Sequence, residues 1–198
     1  SQVLEKSSNI GLIKFARRLS RPRFYEYIRS FGFATRTGIE LPAENSGLLQ
    51  EVDQWSERSL ETIAIGQEIG VTALQLALAY GAIANGGVLM APRLVAGTVE
   101  EDGHFEGRGT PQKVRRVVRR EIAATLSEVL AGVVANGTGQ RARIAGVAVA
   151  GKTGTAQRAA ADGSGYDPDA SIASFAGFLP VEDPRYVCVV MVENPQID

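Results

Sequence analysis

The chain has 198 residues, of which 44% are hydrophobic and 22% charged, and a formal net charge of −1. That is enough for one domain with a real core, and the near-neutral balance argues against a nucleic-acid protein or a polybasic membrane binder. No apolar run approaches the ~20 residues that a bilayer span needs, and no signal peptide is visible; Ser1-Gln2-Val3 reads as the middle of a longer chain.

In chain order, the polar cluster Ser7-Ser8-Asn9 suits a turn or an N-cap. Ile10, Leu12, Ile13, Phe15, Ala16 and Leu19 follow at helical spacing. Ser20-Arg21-Pro22 breaks that pattern, and Arg23 to Phe31 reads as a short second helix closed by Gly32. Residues 33–54 read as loop, punctuated by Gly38, Pro42 and Gly47, with a short extended piece at Ile39 and Leu41. Thr72 and Gln75 have the spacing of a capping box. They open a helix that is apolar almost all round from Leu74 to Ile83, which marks it as central, and Asn85-Gly86-Gly87 ends it.

Pro92 to Phe105 reads as a small hairpin turning at Asp102-Gly103. Residues 107–120 carry Arg115, Arg116, Arg119 and Arg120 and read as a solvated edge. Glu121 to Ala135 predicts an amphipathic helix with Ile122, Leu126, Val129, Leu130 and Val133 on one face, stopped by Asn136-Gly137-Thr138-Gly139. Three strands follow, at 144–157, 171–179 and 186–192, with a loop from Arg158 to Asp169 and a short antiparallel connection at 180–184. The last strand is apolar at every position, so both of its faces are expected to be covered. Cys188, the single cysteine, lies within it and is expected in the core.

The first of these strands carries the chemistry. Gly151-Lys152-Thr153-Gly154-Thr155-Ala156-Gln157 offers an anion the ammonium of Lys152, the hydroxyls of Thr153 and Thr155, and close backbone approach at Gly154. A Lys-Thr-Gly triplet alone is a weak signal, which an ordinary strand end with one exposed lysine explains better. His104 is the only histidine, so a His-based metal site or a Ser-His-Asp triad is not available.

Together these stretches resemble the transpeptidase domain of a class B penicillin-binding protein. The resemblance rests on Lys6-Ser7-Ser8-Asn9-Ile10-Gly11, on Thr37-Gly38-Ile39-Glu40-Leu41-Pro42, and on Ile65-Gly66-Gln67 through Val71-Thr72 to Asn85-Gly86-Gly87. It continues through Gly151 to Gln157 and the closing Ser174-Phe175-Ala176-Gly177-Phe178 to Pro184-Arg185-Tyr186 pattern. It implies the α/β (α+β) fold shared with serine β-lactamases: an antiparallel sheet with flanking helices plus a helical subdomain. Residues 1–198 would be the C-terminal part of that domain. Residues 1–143 would be the mainly helical part with Ser-x-Asn, and residues 144–198 the late sheet strands with Lys-Thr-Gly.

The resemblance also implies roles. Ser7 would relay a proton to and from the leaving group, and Asn9 would orient the substrate amide. Lys152 would supply positive potential and move protons. Thr153, Gly154 and Thr155 would bind the carboxylate of a β-lactam or of the donor stem peptide, and the backbone N–H of Thr155 would form half of an oxyanion hole. No metal and no cofactor is implied. The implied partners are the peptidoglycan stem peptide, β-lactams, an N-terminal segment of the same domain and other cell-wall synthesis proteins, with no nucleic acid. The implied location is the outer face of the bacterial cytoplasmic membrane, with the anchor outside this chain.

Three departures stand out. Glu68 and Ala73 replace the glycine and proline that the family usually carries there. More seriously, no serine among the 198 residues has a lysine three positions on, so the Ser-x-x-Lys nucleophile motif is expected before Ser1. Two other readings share the motifs: a non-catalytic penicillin-binding or sensor-like module, and a serine β-lactamase.

Overall fold

The structure, a computed structural model, describes residues 2–107, 109–159 and 165–196. The first half is built from short helices: α1 (Gln2–Glu5), α2 (Asn9–Ala16), α3 (Arg21–Ser30) and α4 (Ser59–Ala64). Their core gathers Ala16, Ile28, Trp55, Leu60 and Ile63. Trp55 anchors it, with its indole N–H donating to Gln50 O at 2.8 Å and its ring edge-on to Phe24 and Tyr25. The short β1 (Leu48–Leu49) pairs antiparallel with β2 (Ile69–Gly70).

The apolar helix is central, as its sequence predicts. It forms α5 (Ala73–Ala84), and its Thr72–Gln75 capping box is complete, with Thr72 N donating to Gln75 Oε1 at 3.0 Å and Gln75 N to Thr72 Oγ1 at 3.1 Å. The Gln75 amide, fully buried, also donates to Thr35 O and Ser46 O, which fastens the long loop to the helix start. The extended piece expected at Ile39–Leu41 does not form. That loop folds around Glu44 instead, whose carboxylate accepts from Thr37 N and Gly38 N. Glu68, one of the departures, sits at φ 56, a left-handed position where the usual glycine carries no penalty.

Beyond α5, β3 (Val88–Met90) pairs antiparallel with β6 (Lys113–Arg116), and β4 (Gly97–Val99) with β5 (Phe105–Gly107). The hairpin is as expected in kind. The basic stretch is an exposed edge and also a strand, which its charge hides. The amphipathic segment forms α6 (Arg120–Asn136) and buries Ala123, Leu130, Val133 and Val134.

The main sheet has the order β7-β8-β9, all antiparallel: β7 (Ala150–Ala159), β8 (Tyr166–Leu179) and β9 (Tyr186–Glu193). Helices α5 and α6 cover one of its faces over Leu130, Ala150 and Phe178. The strand expected from residue 144 starts only at Ala150, because Ile144 bridges back to Val147 through a turn with Gly146 at φ 75. The expected 158–169 loop is narrowed by β7 reaching Ala159 and β8 starting at Tyr166, and its middle lies outside the described residues.

Two expectations for β9 are corrected. It is not covered on both faces: it is an edge strand, with Tyr186 70%, Val190 50% and Val192 47% exposed. Cys188 is likewise exposed, not in the core. Position in the sheet explains both: Val187 meets α5 at Gly81, Tyr186, Cys188, Val190 and Val192 point to the opposite face, and every residue of the strand but Val189 is exposed because β9 is the last strand of the sheet among the described residues.

Candidate active site

The Ser7-Ser8-Asn9 cluster divides its work between neighbours. Helix α1 ends in a Schellman turn: Ser8 N donates to Val3 O at 2.9 Å and Ser7 N to Leu4 O at 3.1 Å. Ser7 occupies the left-handed position of that turn, at φ 50, where glycine is the usual residue. Ser8, not Ser7, is the N-cap of α2, accepting from Gly11 N at 3.2 Å. Asn9 is the first residue of α2. It is exposed, and its side chain makes no hydrogen bond to Ser7 or Lys152.

Two glycines let α1 sit close to its neighbours. A Cβ at Gly11 would stand 2.5 Å from Val3 Cγ1, and one at Gly137 would stand 2.4 Å from Glu5 O. Helix α6 thus delivers its C-terminal turn against the end of α1, and Thr138 N donates to Glu5 O at 3.1 Å. The same helix packs on β7, which brings Ser7 and Lys152 together.

Lys152 Nζ donates to Ser7 Oγ and, at 2.8 Å, to Thr153 O. The two residues are 145 positions apart in sequence. Lys152 makes no ion pair among the described residues, so its charge is open to an incoming anion. Burial lowers its pKa, since a partly desolvated ammonium is less stable than a solvated one. The hydroxyl of Thr153 donates to that of Thr138 at 3.1 Å. Gly154 is exposed and tight against β8: a Cβ there would lie 2.7 Å from Ser174 Oγ. Thr155 is exposed on the edge strand β7. Behind them Gly151 pairs with Gly177, and the Phe175 ring fills the space that a Cβ at either would need.

Ser7, Lys152, Thr153 and Thr138 therefore form one connected cluster. Sequence alone does not mark Thr138, whose turn reads only as a helix stop; the one signal it offers is a threonine between two glycines. A separate groove of about 890 Å³ lies between the end of α5, the start of α6 and the β8–β9 turn. Its walls mix Lys113, Arg116 and Arg120 with Glu128, Glu182 and Asp183, and it shares no residue with the cluster. Among the described residues, no group of three or more His, Cys, Asp or Glu side chains could hold a metal, and no helix is long and apolar enough to cross a membrane.

The fold and this cluster define a penicillin-interacting transpeptidase domain. The family model described as the penicillin binding protein transpeptidase domain matches residues 1–198. Penicillin-binding protein PbpB of Mycolicibacterium smegmatis is 41% identical over 98% of this chain and 31% of its own length. Stage V sporulation protein D of Bacillus subtilis is 35% identical over 98% of the chain and 30% of its own length. The crystal structure of apo penicillin-binding protein 3 from Mycobacterium tuberculosis superposes with a TM-score of 0.89 at 38% identity, over 98% of this chain and 45% of that one. The chain belongs to the penicillin-binding protein transpeptidase family, of the class B type, and spans about a third of the curated relatives' length.

Proposed function

We propose that this chain is the part of a D,D-transpeptidase that binds the donor peptide and moves the proton, in an enzyme that cross-links peptidoglycan stem peptides through a serine acyl-enzyme. The observation that carries the reading is the Lys152–Ser7 hydrogen bond, which joins the Ser-x-Asn and Lys-Thr-Gly motifs.

The chemistry follows from the residues. The attacking serine comes from a Ser-x-x-Lys segment outside these 198 residues. As its oxygen bonds to the peptide carbonyl, its proton passes to the lysine of that same segment, and the oxyanion forms at the edge of β7, where the Thr155 N–H donates. The C–N bond then breaks, and Ser7 passes a proton to the departing nitrogen. Lys152 replenishes Ser7 across their hydrogen bond, helped by a pKa that burial lowers. Thr153, Gly154 and Thr155 hold the carboxylate, and Asn9 orients the substrate amide. An amine from a second stem peptide completes the exchange by the reverse steps. A β-lactam enters the same way, but its leaving nitrogen stays tethered. The enzyme works at the outer face of the bacterial cytoplasmic membrane with other cell-wall synthesis proteins.

Labelling with a fluorescent penicillin, read by intact mass, tests this. The 198-residue chain alone is expected to remain unlabelled, and a chain that also carries the Ser-x-x-Lys segment is expected to gain one penicillin. A covalent adduct on the isolated chain, at Ser7 or elsewhere in the cleft, would overturn the proton-relay role. A longer chain that binds penicillin without forming an adduct would favour the non-catalytic module instead.

A further inference from the structure

Thr138 touches both sides of the cleft. Its backbone N–H holds Glu5 O, two residues before Ser7, and its side-chain oxygen accepts from Thr153 Oγ1 at 3.1 Å. Gly137 beside it has no room for a Cβ against Glu5 O, so the turn is pinned where it stands.

A threonine hydroxyl has one hydrogen to donate and two lone pairs. Here Thr153 directs that hydrogen at Thr138. A carboxylate only accepts, so Thr153 has to turn its hydrogen away from Thr138 to bind one. Thr138 has a hydrogen of its own and, once its side chain turns to aim that O–H at Thr153, donates it to the Thr153 oxygen. We propose that Thr138 is a positioning residue for carboxylate recognition: ligand binding reverses the Thr153–Thr138 hydrogen bond, so that Thr138 donates to Thr153 and Thr153 donates to the anion. This rests on the transpeptidase reading and extends it to how the site selects its ligand.

Two physical consequences follow. Neither hydroxyl loses its partner when the ligand binds, so the exchange leaves no polar group unsatisfied. The two aligned O–H groups also polarise one another, which makes Thr153 a stronger donor toward a charged acceptor. The unpaired charge of Lys152 lies one residue away. An uncharged ester draws little from this arrangement.

The test uses the full-length protein and benzylpenicillin, with the reaction resolved into a dissociation constant and an acylation rate. Thr138→Val keeps the shape of the side chain and removes its hydroxyl, and Thr138→Ser keeps the hydroxyl. Thr138→Val is expected to weaken binding about fivefold while the acylation rate stays within about twofold, and Thr138→Ser to restore binding to within about twofold. The methyl ester of benzylpenicillin, competed against a fluorescent penicillin, is expected to bind wild type and Thr138→Val alike. Unchanged benzylpenicillin binding in Thr138→Val overturns the proposal. Equal losses in the Val and Ser variants, or equal losses for acid and ester, also overturn it, since a purely structural turn residue would give either. A wild-type protein that penicillin never acylates overturns the transpeptidase reading itself, and the role of Thr138 with it.

Discussion

At the scale of single residues, the site is held in an unrelaxed state. Ser7 keeps a left-handed backbone that an L-residue with a Cβ resists. Glycine would remove that resistance, and alanine would keep it while deleting the hydroxyl. Ser7→Gly is therefore expected to be more stable than Ser7→Ala by about 1 kcal/mol in denaturant unfolding. In the longer protein that carries the Ser-x-x-Lys segment both variants should lose penicillin acylation equally, and a stability order with alanine above glycine would refute the account. Lys152 is unrelaxed in another way. Burial lowers its pKa, so the unfolded chain holds the lysine proton more tightly than the folded one. The group thus lowers stability at neutral pH, and that penalty is relieved as pH rises through the folded pKa toward the ordinary lysine value. Lys152→Met is expected to raise the thermal midpoint at pH 7 by about 2 °C, less at pH 10, and to cut acylation of the longer protein that carries the Ser-x-x-Lys segment by about 100-fold or more. A melting series at the two pH values, with a penicillin-labelling time course, checks it.

At the scale of elements, the position of Ser7 depends on how tightly three helix ends pack. Helix α1 is one turn long and has no buried residues of its own. It is located by Gly11 on one side and by Gly137 and Thr138 on the other. In an exposed helix, changing glycine to alanine gains about 1 kcal/mol. At Gly11 the new methyl would meet Val3 Cγ1 at 2.5 Å, and α1 would have to shift. Gly11→Ala is expected to destabilise the chain by about 1–2 kcal/mol and, in the longer protein that carries the Ser-x-x-Lys segment, to slow acylation. Adding Val3→Ala should recover most of both losses, because the two sites share one contact. If Gly11→Ala stabilises, α1 is not held in this way.

At the scale of the whole molecule, the main sheet is covered unequally. Helices α5 and α6 cover one face, while Tyr186, Cys188, Val190 and Val192 stand open on the other along a strand whose outer edge is unpaired among the described residues. An apolar edge strand of eight residues is a template for pairing with another chain. The 198-residue chain alone is expected to self-associate at about 100 μM in sedimentation velocity, and Val190→Lys to suppress this. A monomer at that concentration in both forms would mean that the open face is inert.

Much of this was legible from local pattern. The apolar run behind Thr72 and Gln75 specifies a capped, central helix, and the amphipathic spacing through Leu130 specifies α6. The Ser-x-Asn and Lys-Thr-Gly motifs identify the family, because residue type and order survive without coordinates. Long-range packing decided the rest. Charge in Lys113–Arg116 hid a strand that exists only because Val88–Met90 lies beside it. The apolar composition of β9 and Cys188 suggested a covered strand, yet cover is a property of neighbours and not of the strand. Thr138 looked like part of a helix stop until α6 carried it against both Glu5 and Thr153. Sequence determined which side chains could do the chemistry, since that depends on their functional groups. Tertiary structure alone decided that Ser7 and Lys152 touch, and it partly desolvated the lysine, because both depend on segments far apart in the chain packing against one another.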